Sequence, residues 1–352
     1  MAAPETTAAE GPAPSKPQLF EQTSQYRHWR FTAEALTQLR AANNARGAER
    51  VLRGLREEAR VDDAGALETR IAEATNNLLT PDEELQLVGY YLQMIVTTIQ
   101  AYARVYRANN LLRPEALNNV KATAINFMKR FYLHNVVFDY PPKSIMLTCL
   151  YLATKVENSF MKIDDFIRPL QEASAKRGTG AATKSEDILG LEFVVIQSLQ
   201  FELAVHHPYR PAYGLFLDMQ EYIDDAALLK AAYDRVNHYI EPSLLTDLVY
   251  VYQPAQIALG AFRLAAKEKD LDIDPYLVQR FEAHDLEVLY PILDEIQDTI
   301  AGFKPVPKER AQAIDRKLIL CRNPEKNPAS ALYKKKAADE ADVPYVSDSD
   351  AE

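Results

Sequence analysis

The stretch Ile145–Lys155, IMLTCLYLATK, carries apolar residues on every side when it is drawn as a helix. A helix of this kind lies at the centre of a bundle, because a surface helix keeps one polar face toward water. A buried strand is the alternative for a short apolar run, but the long amphipathic patterns around this one favour a helix. The stretch therefore predicts the central helix of an all-helical domain.

The same pattern returns 112 residues later, as IALGAFRLAAK at 257–267. The two segments align without gaps, and five of the eleven positions are identical. Two apolar helices can match by chance, yet each segment also lies third in a run of five predicted helices. A repeat at a fixed offset indicates duplicated structural units. We therefore predict an all-α fold of two tandem five-helix units, with one extra helix at each end.

The flanking sequence supplies the boundaries of these units. Thr80–Glu83, TPDE, is a capping box with proline at the first helical position, and it begins the first unit. The prolines of HHPYRP (206–211) break the helical pattern between the units. The predicted order is a disordered N-terminus at 1–24, a helix and loop at 25–79, a first unit at 80–205, a second unit at 206–304, a C-terminal helix at 305–322 and a disordered acidic tail at 323–352.

Composition excludes several classes of function. With 40 basic and 50 acidic residues the net charge is −10, which argues against direct binding to nucleic acid. Two cysteines, Cys149 and Cys321, form neither a disulfide framework nor a zinc-binding spacing. No apolar stretch is long enough to span a membrane. A phosphate loop would need glycine directly before Lys184, where the chain has threonine, so we predict no catalytic residue, cofactor or metal.

Two charged residues remain as candidates for a binding site. Lys155 ends the central helix of the first unit, and Glu192 follows Ile188 by four residues on a later helix. That spacing places Glu192 on or beside an apolar helix face. A carboxylate there is paired or borders an interface, because an isolated buried charge is very costly. An ordinary surface lysine and a rim glutamate are the alternative.

Several ordered motifs give the chain a specific resemblance. It resembles the cyclins in KRFYL (129–133), MLTCLYLATKVEN (146–158) and LEFVVIQSLQFEL (191–203). The segments RHWRF (27–31) and VHHPYRP (205–211) are similar to those of the H-type cyclins in particular. The resemblance covers about residues 25–322 and implies two cyclin boxes, each of five helices.

The resemblance also implies a function, which is to bind and activate a cyclin-dependent kinase without catalysing a reaction. In cyclins, the third and fifth helices of the first box hold the αC helix of the kinase. The matching contact residues are Lys155, Val156, Glu192, Phe201 and Leu203. Implied partners are the catalytic subunit of the CDK-activating kinase, a RING-containing assembly subunit and the core of transcription factor IIH. The implied substrates are other cyclin-dependent kinases and the C-terminal domain of RNA polymerase II, and the implied location is the nucleus.

Two departures limit what the resemblance implies. Cell-cycle cyclins carry aspartate where this chain has Lys129, so their internal salt bridge is not expected. The helix at 81–107 lacks the MRAIL motif that recruits substrates in those cyclins, so no such docking is predicted.

Two further points stay open from the sequence. A TFIIB-like factor with twin boxes that binds promoter DNA is the alternative function, although it would need a basic face and an N-terminal zinc ribbon. In the tail, Ser347 and Ser349 each precede an acidic residue by three positions. They are candidate phosphorylation sites, and an unmodified solubilising tail is the alternative.

Overall fold

The computed structural model describes residues 19–58, 67–107, 114–176 and 183–341. Within these ranges the chain forms helices and connecting segments without a strand, which confirms the all-α prediction. The α-helices are α1 (Ser24–His28), α2 (Ala33–Glu58), α3 (Leu67–Asn77), α4 (Pro81–Arg107), α5 (Pro114–His134), α6 (Pro142–Val156), α7 (Ile163–Lys176), α8 (Ser185–Ser198), α9 (Tyr209–Met219), α10 (Ala226–Leu245), α11 (Leu248–Val251), α12 (Pro254–Glu268), α13 (Asp274–Arg280), α14 (Ala283–Gly302), α15 (Lys308–Leu320) and α16 (Ala331–Ala341). A 3₁₀ turn at Phe20–Gln22 precedes α1, and another at Pro324–Lys326 lies between α15 and α16.

Helix α6 is the centre of the first unit. Every residue from 145 to 154 is buried, and the helix packs against α4, α5 and α8. The all-apolar sequence therefore has the physical cause that we inferred, since each side of the helix faces another helix.

Helix α12 has the same place in the second unit, where it packs against α9, α10 and α14. Gly260 on α12 allows a close approach to α14, because a Cβ at this position would lie 2.6 Å from Cγ2 of Ile296. The single turn α11 lies between α10 and α12 and has no counterpart in our prediction from the sequence.

The duplication continues past the matched segments into the helix ends. Asn158 after α6 and Asp270 after α12 are also 112 residues apart, and both have a left-handed backbone, with φ of 51° and 56°. In each case the next amide donates to the carbonyl five residues earlier, from Ser159 to Thr154 and from Leu271 to Ala266, both at 2.9 Å. These are Schellman C-caps, in which Asn or Asp tolerates the left-handed position. The repeat is therefore structural and does not reflect chance similarity of two apolar segments.

Lys129 of α5 ties the two units together. Its side chain is buried, and Nζ donates to the carbonyls of Leu244 (3.2 Å) and Thr246 at the C-terminal end of α10. A donor is favourable there because the last carbonyls of a helix lack partners within it. Burial lowers the pKa of Lys129 to about 7. Lys129, which stands where cell-cycle cyclins carry aspartate, thus stabilises the contact between the two units.

The predicted helix and loop at 25–79 needs correction, since its last part, Leu67–Asn77, forms the further helix α3. This helix packs against α2 and α15, and it buries Ala74 completely. The contact rests on small and partly buried side chains, so the apolar signal was too weak to indicate a helix.

The predicted disorder at both termini also needs correction. The tail from residue 323 is ordered over its first part, with a 3₁₀ turn at Pro324–Lys326 and helix α16. Leu332 is buried, and the buried Glu58 accepts from the amide of Ala331 at 2.9 Å. At the other end Phe20–Gln22 forms a turn, while residues 1–18 lie outside the described residues.

Candidate functional site

Lys155 lies at the C-terminal end of α6, where the central helix reaches the surface. Its Nζ donates to Oε1 of Glu192 at 2.5 Å and lies 4.6 Å from the ring centroid of Tyr151, one turn earlier. One third of the Lys155 side chain remains exposed. A cation is favourable at this end of a helix, where the backbone dipole is negative.

Glu192 projects from α8, which packs against α6. Its side chain is 18% exposed, and the lysine is the ion-pair partner that burial requires. The structure thus brings together the two charged residues singled out in the sequence. Both side chains are partly exposed. The ion pair therefore fixes their positions, and a partner can still contact them.

Phe201 lies in a turn that continues directly from α8. Gln200 and Phe201 both have a left-handed backbone, with φ of 54° and 61°. The amide of Phe201 donates to Ile196 at 3.1 Å, which makes this a Schellman C-cap with glutamine where glycine is usual. Such positions cost about 1–3 kcal/mol each for residues other than glycine, and they persist where surrounding contacts hold them. The turn leaves the Phe201 ring 62% exposed.

The site includes aromatic residues that we did not predict. Phe193, directly after Glu192, is 64% exposed, and its ring meets that of Phe201 edge to face at 6.2 Å. Phe160, four residues after Val156, is 66% exposed. A phenylalanine on the polar side of an amphipathic helix was the available signal for Phe193. We call the surface formed by Lys155, Glu192, Phe193 and Phe201 the contact surface.

The remaining predicted residues have a supporting position or lie outside the described part of the chain. Val156 and Leu203 are partly buried and pack against the hydrophobic core beside the contact surface. Ser347 and Ser349 fall outside the described residues, so their modification remains a prediction.

The second unit carries the equivalent lysine without the equivalent pair. Lys267 of α12 matches Lys155 at the offset of 112 residues. Its side chain is exposed, and it forms no ion pair within the described ranges. The duplicated position therefore has the charge but not the carboxylate.

A cavity of about 270 Å³ lies elsewhere, at the junction of α2, α4, α5 and the end of α10. Apart from Lys304, the charged groups in its wall have partners within the protein. Arg40 pairs with Asp247 at 2.7 Å, and Glu84 accepts from Asn44 at 2.8 Å. Within the described residues no cluster of side chains suits a metal ion. No described helix combines the length and apolar character needed to cross a membrane.

The buried His207 connects through Thr123 to Glu157, the residue after α6. Thr123 donates to Glu157 at 2.5 Å, so its oxygen accepts from Nε2 of His207 at 2.7 Å. This hydrogen bond assigns a proton to Nε2 of His207, while the buried Nδ1 has no hydrogen-bond partner among the described residues. Burial, together with the charge of Arg130, lowers the pKa of His207 from 6.5 to about 3.

This histidine predicts a loss of stability in acid. Because the folded chain holds a lower pKa than the unfolded chain, only the unfolded chain gains a proton as pH falls from 6.5 toward 3. Stability from this group is thus complete above pH 6.5, and it falls by up to about 1.4 kcal/mol per pH unit below that. We expect His207→Gln to flatten urea-unfolding free energies between pH 6.5 and 4 relative to the wild type. His284→Gln, at an exposed position, should keep the wild-type slope, and an unchanged slope in His207→Gln would contradict the assignment.

Comparison with known proteins places both units in one family. The model of the cyclin N-terminal domain matches residues 111–204, and that of the cyclin C-terminal domain matches residues 207–305. Cyclin mcs2 of Schizosaccharomyces pombe is 32% identical over 327 residues, which cover 91% of each chain. Cyclin-H of Xenopus laevis is 27% identical over 87% of this chain and 88% of its own.

Solved structures give the same assignment. The chain is similar to one in the CAK complex of Chaetomium thermophilum, with a TM-score of 0.70, 26% identity and coverage of 95% of this chain and 97% of that one. It is also similar to a chain in the yeast TFIIK complex of Kin28, Ccl1 and Tfb3, with a TM-score of 0.56, 32% identity and coverage of 80% and 99%. With two cyclin domains in tandem and relatives matched over most of their length, the chain belongs to the cyclin family, in the group that contains cyclin H.

Proposed function

We propose that this chain is the regulatory subunit of a cyclin-dependent kinase, which it binds through the contact surface and thereby activates. The observation that carries the proposal is the Lys155–Glu192 pair, held at the surface beside two exposed phenylalanines. Exposed apolar groups beside a partly desolvated ion pair are typical of a protein–protein interface.

The proposed mechanism is differential binding. Phosphoryl transfer in kinases requires an ion pair between a lysine on strand β3 and a glutamate on helix αC, and the position of αC controls whether it forms. A partner that binds αC only in its inward position shifts the kinase toward the active state, by as much as its affinities for the two states differ. The chain supplies the docking surface, and the kinase supplies the nucleotide chemistry.

The finer assignment follows from the resemblance to cyclin H and from the complexes that contain similar chains. We propose that the kinase is a CDK-activating kinase that phosphorylates other cyclin-dependent kinases and the C-terminal domain of RNA polymerase II. The complex would include a RING-containing assembly subunit, associate with the core of transcription factor IIH and act in the nucleus. The TFIIB-like alternative is not retained, because the relative matched over 91% of both chains is a cyclin.

The test is recovery of the kinase with the tagged full-length chain from an extract of the source organism. Mass spectrometry should identify a cyclin-dependent kinase, and the purified chain should raise the activity of that kinase on a peptide substrate. Recovery of the RING subunit and of subunits of transcription factor IIH tests the finer assignment. The proposal fails if no cyclin-dependent kinase is recovered, or if the recovered kinase is equally active without the chain.

A further inference from the structure

The segment 200–206, which carries Phe201 and Leu203, follows α8 directly, and we call it the turn. Two consecutive residues other than glycine have a left-handed backbone there. Contacts from outside the turn are needed to hold such a conformation. In this structure they come from the N-terminal segment Phe20–Trp29, which we call the brace, and from Arg130 of α5.

The strongest contacts converge on Glu202, between the two predicted kinase-binding residues. Nε1 of the buried Trp29 donates to Oε2 of Glu202 at 2.6 Å, and Nδ1 of His28 contacts Oε1. Both oxygens of this carboxylate are thus engaged by the brace. Hydrogen bonds to an ionised acceptor are among the stronger ones, so they define the position of the side chain.

The backbone of the turn is held as well. Nη1 of Arg130 donates to the carbonyl of Glu202 at 3.2 Å, and the guanidinium lies 4.8 Å from the ring centroid of Trp29. Arg130 itself is 1% exposed. Trp29 therefore contacts the turn directly through Glu202 and indirectly through Arg130.

A second set of contacts comes from earlier residues of the brace. Gln25 pairs with both backbone groups of His206, since the His206 amide donates to Oε1 at 2.7 Å and Nε2 donates to the His206 carbonyl at 3.2 Å. The ring of Phe20 meets the imidazole of His206 edge to face at 5.9 Å. The turn is thus fixed at Glu202 and at His206, on both sides of Leu203.

We infer that the brace positions the turn so that Phe201 and Leu203 are already in place when the kinase arrives. The inference rests on the proposed function and adds residues that do not belong to the contact surface, namely Gln25, His28 and Trp29. A turn held in its bound conformation loses less entropy on association, which raises affinity without a new contact.

The test is a double-mutant cycle on kinase binding with the full-length chain and its co-expressed cyclin-dependent kinase. The combination His28→Ala with Trp29→Phe removes both donors to Glu202 but keeps an aromatic ring beside Arg130. We expect it to weaken binding about tenfold, equivalent to 1.4 kcal/mol. In a Phe201→Ala background the same combination should cost clearly less than tenfold, because only Leu203 is then left for the brace to position.

Controls separate positioning from loss of fold and from failure of the proposed function. Arg30→Ala removes contacts to the carbonyl of Val251 in the second unit and to the ring of Tyr26, neither of which involves Glu202 or His206, and it should leave the affinity unchanged. Hydrogen exchange of the Phe201 and Glu202 amides in the free chain should become faster in the combined variant only. An equal loss of affinity in both backgrounds, or no loss in either, would overturn the brace alone. If Phe201→Ala kept full affinity, the contact surface itself would be wrong.

Discussion

Exchanging Glu192 for lysine should prevent the chain from retaining its kinase, while the free chain stays folded. The substitution removes the partner of Lys155 and places a second ammonium group beside it. Truncating one member of a buried interfacial charge pair costs about 2–5 kcal/mol. Because this pair is partly exposed in the free chain, we expect the lower end of that range, roughly a 30-fold loss of affinity. The measurement is co-purification with the kinase, together with a titration of its activity.

The matched control for this variant is Glu186→Lys. It makes the same change of charge on the same helix, at an exposed position near the start of α8. We expect it to retain the kinase, and thermal unfolding should show that both variants are folded. If Glu192→Lys bound and activated the kinase as the wild type does, the contact surface would be assigned to the wrong place.

Replacing Trp29 by alanine should produce the largest loss of stability among the changes considered. The side chain is 1% exposed, its ring meets that of His134 at 5.7 Å, and its Nε1 donates to Glu202. Truncation of a buried tryptophan typically costs about 3–5 kcal/mol. The variant also leaves the buried guanidinium of Arg130 without the ring beside it. Urea unfolding measures the effect. It is followed by circular dichroism and not by tryptophan fluorescence, because the variant lacks the only tryptophan in the chain.

An exposed aromatic residue provides the control for this measurement. Phe160 is 66% exposed, so Phe160→Ala should change the free energy of unfolding by no more than about 0.5 kcal/mol. A loss below about 1 kcal/mol for Trp29→Ala, which is typical of an ordinary position, would show that the N-terminal segment is not part of the folded core.

The sequence predicts those parts of the molecule that depend on local periodicity. An apolar run, a capping box and a pair of prolines are enough to locate the central helices and the link between the boxes. The offset of 112 residues then relates one box to the other, and the left-handed residues at Asn158 and Asp270 show the same relation in the backbone. The spacing of Glu192 from Ile188 likewise indicated a carboxylate that needs a partner.

Contacts between distant segments left no such signal. Glu202 and Trp29 are 173 positions apart, and the cap that Glu58 provides for α16 spans 273 positions. Neither residue pair belongs to a local motif. The brace and the ordered part of the tail could therefore be identified only from the three-dimensional structure. Phe193 was missed for a different reason, because we interpreted α8 by its buried face and Phe193 lies on the exposed side.

The two boxes share a scaffold, but they differ at the position to which we assign kinase binding. Lys267 occupies the place of Lys155, yet it is exposed and has no paired carboxylate within the described residues. Under the proposed function, the duplication of the box has therefore not produced a second kinase-binding site of the same kind. We therefore expect one chain to bind one kinase, and the surface of the second box around Lys267 carries no corresponding ion pair within the described residues.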